Sequence, residues 1–163
     1  MATENKNLSG HVYESIPNAT GWRFGIVVSE WNEEITEGLY EGALEALLEC
    51  GVSESDIERI DVPGSYELVF GAKLYAQTKR PDAIICLGSV IRGETAHFDY
   101  VCSAVALGIK DLNLQLDLPV IFGVLTDDNI EQSRARSGGK HGNKGTEAGV
   151  TAVKMVALKR RLS

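Results

Sequence analysis

The side chains best suited to chemistry are concentrated in one segment, residues 88–101. Gly88 and Gly93 permit tight backbone turns, Thr95 offers a hydroxyl to an anion, and His97 can exchange a proton near neutral pH. A lone histidine is usually structural, but the spacing around His97 leaves a structural and a functional role equally open.

This segment lies between two elements of different kinds. The apolar run at residues 83–87 predicts a buried parallel strand, and the apolar period at residues 96–116 predicts a helix capped by Thr95. Open α/β sheets bind ligands at such a junction, because helix N-termini present free N–H groups there. His97 is therefore expected in the first helical turn, facing the crevice.

A second group of charges crowds a glycine-rich loop near the end of the chain. Residues 134–163 carry eight basic side chains and one acid, Glu147. The basic residues 159–161 are favourable at the negative end of a terminal helix dipole. Arg136, Lys140 and Lys144 instead lie in or beside the glycine-rich segment 138–145. The loop does not match the Gly-x-x-x-x-Gly-Lys-[Ser/Thr] pattern, but it predicts an anion site.

Aromatic and polar residues also follow or occupy the other predicted strands. Burial tendencies favour a core position for Trp31 and Phe122, although the place of Trp31 at the sheet edge also suits stacking on a ligand. Ser65 and Glu67, beside Tyr66, either begin a helix or bind the hydroxyls of a polyol.

Strand and helix patterns alternate along the chain. Strands are predicted at residues 23–29, 57–62, 83–87 and 119–125, and helices at 32–50, 65–78, 96–116, 126–137 and 143–162. Asn32 is the expected N-cap of the first helix. The alternation predicts an α/β fold, a three-layer αβα sandwich around a four-stranded parallel sheet. Residues 1–20 are interpreted as a polar arm and residues 21–163 as a single domain.

Composition narrows the functional classes. A chain of 163 residues with a net charge of −7 suits one globular domain and disfavours nucleic-acid binding. No apolar run is long enough to cross a membrane and no signal-peptide core is present, so a cytoplasmic location without membrane association is expected. The three cysteines lie in apolar segments without ligand spacing, which predicts buried thiols and no metal site.

Five motifs, in order, carry a resemblance to a known family. They are Ser29–Asn32 (Ser-Glu-Trp-Asn), Val62–Glu67 (Val-Pro-Gly-Ser-Tyr-Glu), Gly88–Tyr100, Phe122–Thr126 and Gly142–Gly145 (Gly-Asn-Lys-Gly). The chain resembles the lumazine synthases, which have a flavodoxin-like fold. The resemblance implies condensation of 5-amino-6-(D-ribitylamino)uracil with 3,4-dihydroxy-2-butanone 4-phosphate in riboflavin biosynthesis, through an imine, phosphate elimination and ring closure. It implies no metal and no organic cofactor.

The resemblance also implies a role for each matching residue. His97 would relay protons. The residues implied in binding the pyrimidine and its ribityl chain are Trp31, Ser65, Tyr66, Glu67, Ser89, Val90, Ile91 and Phe122. Those implied in binding the phosphate substrate are Glu94, Thr95, Arg136 and Lys144. Many relatives have Phe where this chain has Trp31 and Tyr66, so an aromatic ring is kept at both positions.

Family members assemble as pentamers or as sixty-subunit shells, and a neighbouring subunit supplies the residues matching Phe122 and Arg136. The short loop at residues 136–144 favours the shell, with riboflavin synthase as a further candidate partner. Two other functional classes are alternatives: a shell protein that binds flavin or lumazine without catalysis, and a flavodoxin-like electron carrier. The first is disfavoured because His97 and Arg136 are both present, and the second because no phosphate loop follows the first strand.

Overall fold

The computed structural model describes residues 16–163. Its centre is a parallel sheet of four strands in the order β2-β1-β3-β4. These strands are β1 (Phe24–Ser29), β2 (Ile57–Val62), β3 (Ala83–Ile91) and β4 (Val120–Asp127). The main helices are α1 (Glu33–Glu49), α2 (Leu68–Lys79), α3 (His97–Gln115), α4 (Ile130–Arg136) and α5 (Lys144–Leu162). The predicted three-layer α/β fold is confirmed.

Both faces of the sheet are covered by helices, which explains the near-continuous apolar sequence of the central strands. Successive side chains of β1 point to opposite faces: Ile26 and Val28 pack against α1 and α5, and Val27 packs against α2 and α3. On β3, Ile85 packs in the layer of α1 and α5, and Ile84 packs in the layer of α2 and α3. The carboxyl ends of β1, β2 and β3 consequently meet along one edge of a rigid sheet.

The layer formed by α1 and α5 is closely packed at Gly145. A Cβ atom at this position would lie 1.8 Å from the backbone oxygen of Leu39 on α1. Only glycine allows the two helices to approach this closely without a backbone shift. Gly145 follows Lys144 directly, so this contact also fixes where α5 begins.

Several element boundaries differ from those predicted. α2 begins at Leu68, because Ser65–Glu67 forms a separate turn of 3-10 helix. β4 continues through Asp127, and the Asn129 side chain accepts a hydrogen bond from the Gln132 N–H, so α4 begins later than expected. The glycine-rich loop forms a small antiparallel hairpin of β5 (Ser137–Gly139) and β6 (Gly142–Asn143).

The expected environment of the thiols is confirmed for Cys50 and Cys86, which are buried, while Cys102 is half-buried. Burial raises the pKa of the Cys86 thiol to about 12. All three thiols are free.

The last residues of the predicted N-terminal arm contact the domain. Ala19 is fully buried, and its N–H donates to the Cys50 carbonyl oxygen at 2.8 Å. Residues 1–15, including the apolar patch at 11–13, lie outside the described residues, and the division into arm and domain stays a prediction. Within residues 16–163, no helix is both long and apolar enough to span a bilayer.

Candidate active site

A groove of about 510 Å³ runs along the carboxyl ends of β1, β2 and β3 and reaches the first turn of α3. We call it the strand-end groove. It is lined by Trp31, Asn32, Gly64, Ser65, Tyr66, Glu67, Ser89, Val90, Ile91, Gly93, Thr95, His97, Phe98 and Val101. Most of the residues singled out from the sequence are therefore brought together, although they come from three separate parts of the chain.

Two aromatic side chains stand on the rim of this groove. Trp31 is 72% exposed and Tyr66 is 62% exposed, far more than large aromatic side chains of a core. The core position that burial tendencies favoured for Trp31 is wrong, because the chain turns away from the sheet directly after β1. The indole is instead available to stack on a flat ligand.

Asn32 holds this turn in place. Its backbone is left-handed, with φ of 63°, and its side-chain Nδ2 donates to the Ser89 carbonyl oxygen at 2.9 Å. Asn32 occupies the predicted N-cap position of α1, but its side chain makes no capping bond. It ties the end of β1 to β3, and it is a groove residue that sequence reasoning missed; the tolerance of asparagine for positive φ was the available signal.

Ser65 presents an unsatisfied hydroxyl to the groove. The residue is buried, and within residues 16–163 its Oγ has no hydrogen-bond partner. The backbone of β3 passes so close that a Cβ at Gly88 would lie 2.6 Å from this oxygen. An unpaired buried hydroxyl costs free energy, and a bound polar ligand would remove that cost.

His97 is the first residue of α3 and lies exposed on the groove wall. Ala96, and not Thr95, holds the N-cap position, and it makes no side-chain capping bond. The Thr95 hydroxyl oxygen accepts a long bond of 3.4 Å from the His97 N–H. Glu94 is exposed in the same loop without lining the groove, so its predicted contact with phosphate stays a prediction.

The remaining predicted residues occupy a different surface. A second groove, of about 730 Å³, runs along β4, the strand at one edge of the sheet. We call it the edge-strand groove, and among its lining residues are Phe122, Arg136 and Lys144. Phe122 is 44% exposed, so the core position favoured for it is wrong. Among residues 16–163, β4 pairs only with β3, and no strand of this part of the chain covers its other side.

The two cations of the edge-strand groove have different partners. Arg136 donates from Nη1 to the Gln132 carbonyl oxygen at 2.9 Å, and the same nitrogen lies 4.0 Å from Oδ1 of Asp127. Lys144 donates to the Glu147 carboxylate at 3.0 Å. Because Glu147 offsets much of the charge of Lys144, Arg136 is the stronger candidate for an anion in this groove.

A buried polar chain lies between the two grooves. The Ser133 hydroxyl donates to Oδ2 of Asp127 at 2.8 Å and lies 3.5 Å from the hydroxyl of Ser89. Ser89 lines the strand-end groove and Asp127 lines the edge-strand groove. Sequence reasoning missed Asp127 and Ser133 as neighbours of the site, because an Asp after a strand reads equally well as a helix cap.

These features define a class of protein. A parallel α/β sheet with an aromatic, hydroxyl-rich and imidazole-bearing groove at its strand ends is typical of enzymes that act on small polar molecules. Within the described residues, no group of three or more His, Cys, Asp and Glu side chains could hold a metal ion.

Comparison with known proteins identifies the family. The sequence profile of 6,7-dimethyl-8-ribityllumazine synthase matches residues 21–160. Three relatives bearing that name come from Flavobacterium johnsoniae, Christiangramia forsetii and Porphyromonas gingivalis. The first is 61% identical over all of this chain and 86% of its own length. The second is 62% identical over 98% of this chain and 96% of its own, and the third is 51% identical over 98% and 99%.

The chain belongs to the 6,7-dimethyl-8-ribityllumazine synthase family. The resemblance drawn from the five motifs is confirmed, as are the enzyme class, a transferase, and the place in riboflavin biosynthesis.

Proposed function

We propose that this chain joins 5-amino-6-(D-ribitylamino)uracil and 3,4-dihydroxy-2-butanone 4-phosphate in the strand-end groove, releasing phosphate and water. The observation that carries the proposal is the convergence of an exposed indole, an unsatisfied hydroxyl and a helix-start histidine on one cavity. A flat heterocycle, a polyol chain and a proton-transfer step require these three kinds of group.

The pyrimidine substrate binds between the ends of β1 and β3. Trp31 stacks on the ring, and the backbone of residues 89–91 binds its polar edge. The ribityl chain extends toward the turn after β2. There the Glu67 carboxylate accepts hydrogen bonds from its hydroxyl groups, the Ser65 hydroxyl donates or accepts one, and the Tyr66 ring covers the chain.

The butanone phosphate binds beside the start of α3. This helix has 19 residues, Thr95 and His97 at its start line the groove, and the positive end of the helix dipole there favours an anion. Any contact with Glu94 is made through its backbone N–H, because its carboxylate repels phosphate. His97 moves the protons that imine formation, phosphate elimination and ring closure require, and it is placed within the same groove.

A second copy of the chain completes the site. Phe122 and Arg136 line the edge-strand groove of their own copy, beside β4, the edge strand of the described sheet. Placed against the strand-end groove of a neighbour, Phe122 closes the aromatic pocket and Arg136 clamps the phosphate, with Lys144 adding positive field. This head-to-tail arrangement is heterologous and closes as a ring, which the family resemblance makes a pentamer.

We further propose that twelve pentamers form the sixty-subunit shell favoured by the short loop at residues 136–144, and that riboflavin synthase is a candidate partner. Light scattering on the purified protein tests the shell, and a particle of pentamer mass alone contradicts it. If the shell forms but riboflavin synthase does not co-purify with it, only the proposed partnership with riboflavin synthase is contradicted.

The direct test of function mixes the purified protein with both substrates and follows lumazine fluorescence and phosphate release together. We expect product and phosphate in equal amounts, well above the uncatalysed rate. Tight binding of the pyrimidine without turnover would contradict the proposal and favour a non-catalytic binding protein.

A further inference from the structure

Arg92 begins the loop between β3 and α3, and its half-exposed side chain contacts both neighbouring elements. Its Nη2 donates to Oδ1 of Asp99 at 3.2 Å, and its Nε donates to Oδ1 of Asp128 at 3.0 Å. The guanidinium also lies over the ring of Phe98, 4.1 Å from the centroid. One side chain therefore contacts the first turn of α3 and the loop after β4.

The backbone of Arg92 adds a further link to β4. Its N–H donates to the Asp127 carbonyl oxygen at 2.9 Å, so the main chain and the side chain both bind the end of β4. Hydrogen bonds to Asp128 and Asp99 raise the pKa of the guanidinium above its ordinary value, and Arg92 therefore stays charged.

The loop that follows Arg92 has little packing of its own. Residues 92–97 are all exposed, and a Cβ placed at Gly93 would meet no atom within 4 Å. Phe98, by contrast, is buried at the base of the groove. The contacts of Arg92 at one end and the burial of Phe98 at the other are what fix the position of this loop.

We propose that Arg92 is a positioning residue that holds residues 93–97 in the conformation that binds the phosphate substrate. The inference rests on the proposed function and deepens it. Although Arg92 is a cation beside an anion site, its Nε and Nη2 each donate to a carboxylate, and it acts through the loop and not on the phosphate itself.

The test measures KM for each substrate in Arg92→Ala and Arg92→Lys. Losing two exposed ion pairs and one cation–π contact raises KM for the butanone phosphate by about tenfold, with KM for the pyrimidine changed by less than about twofold. Arg92→Lys keeps the charge and reaches one carboxylate, so it shows an intermediate KM. Equal KM values in all three proteins would overturn the proposal.

Arg134→Ala is the matched control. Arg134 is also half-exposed and ion-paired, with Glu34 and Glu131, but it lines neither groove. We expect both KM values to stay at the wild-type level in this variant. A KM for the butanone phosphate that rises as much as in Arg92→Ala would show a general response to lost ion pairs and overturn the proposal.

A third variant separates positioning from simple charge neutralisation. Removing Arg92 exposes Asp99 and Asp128, whose charges could repel the phosphate unaided. In R92A combined with D99N and D128N this repulsion is gone, and we expect KM for the butanone phosphate to stay raised. A wild-type KM in this triple variant would overturn the proposal that Arg92 positions the loop.

Failure of this inference is distinct from failure of the proposed function. If Arg92 variants behave as wild type while the enzyme releases phosphate and lumazine, only the positioning role is lost. If the wild-type protein also fails to convert the two substrates, the proposed function itself is wrong.

Discussion

The two grooves of this chain differ in chemistry although they share an inner wall. The strand-end groove holds the exposed indole of Trp31, the unpaired hydroxyl of Ser65 and the imidazole of His97. The edge-strand groove holds Phe122 and the guanidinium of Arg136 beside β4, the edge strand of the described sheet. One surface can bind and protonate a heterocycle, and the other can bind an anion.

Neither groove alone contains all the groups that the chemistry of the family requires. A reaction that eliminates phosphate needs a strong cation near the leaving group, and the strand-end groove contains none among its lining residues. In the proposed function, Arg136 from the edge-strand groove of an adjacent copy supplies this cation. Variants of each groove should therefore fail in different ways.

The largest expected effect is on stability and concerns the start of α5, next to the Lys144 side of the edge-strand groove. Gly145→Ala places a Cβ against the backbone of α1, and we expect a loss of about 3 kcal/mol in the free energy of unfolding. Gly93→Ala is the control in the strand-end groove, where the added Cβ meets open space. Chemical denaturation of both variants checks this; equal midpoints would contradict it.

His97→Ala tests the proton-transfer group of the strand-end groove. Turnover is expected to fall by up to about 100-fold, the lower range for general acid–base catalysis, because imine chemistry proceeds partly without help. Steady-state kinetics at saturating substrates measure this, and KM for the butanone phosphate should change little. An unchanged kcat would remove His97 from the mechanism.

Arg136→Ala tests the cation of the edge-strand groove. Binding of the butanone phosphate should weaken by about 1.5–3 kcal/mol, as for other charged hydrogen bonds, which is roughly 10- to 150-fold in KM. Lys140→Ala is the control, since Lys140 belongs to the same loop and lies outside the groove. An Arg136→Ala enzyme with the KM of the control would refute the phosphate clamp.

The smallest expected effect is at the rim of the strand-end groove. Trp31→Phe keeps an aromatic face with less area, and we expect KM for the pyrimidine to rise about threefold, a fraction of a stacking interaction. Trp22→Phe is the matched change away from both grooves, where the indole packs on the core and under Arg160. If both variants raise KM equally, Trp31 is not a stacking platform.

Much of the fold followed from the sequence because its signals are local. The apolar runs of the four strands and the glycine and asparagine at helix ends depend on neighbours within a few residues. The boundaries of α2 and α4 were misplaced because Ser65 and Thr126 resemble helix starts in isolation. Their actual places depend on a 3-10 turn and on pairing with β3.

The site was only partly predictable, because it depends on contacts between distant segments. The sequence motifs identified His97 and Trp31 as candidate site residues. The local sequence around Trp31 and Phe122 could not predict that their side chains are exposed. The bonds of Asn32 to β3 and of Arg92 to the loop after β4 span 57 and 36 residues of sequence. Such contacts follow from the packing of whole elements, and no short motif encodes them.

Complementation between two impaired variants, assayed at a butanone phosphate concentration well below the wild-type KM, shows whether two copies of the chain share one site. His97→Ala and Arg136→Ala chains are co-expressed with different tags, and mixed assemblies are isolated through both. With random mixing in a ring, about one quarter of the sites combine an intact His97 with a neighbour's intact Arg136. We predict activity near one quarter of the wild-type value, well above either variant alone; activity equal to the mean of the two variants would contradict the shared site.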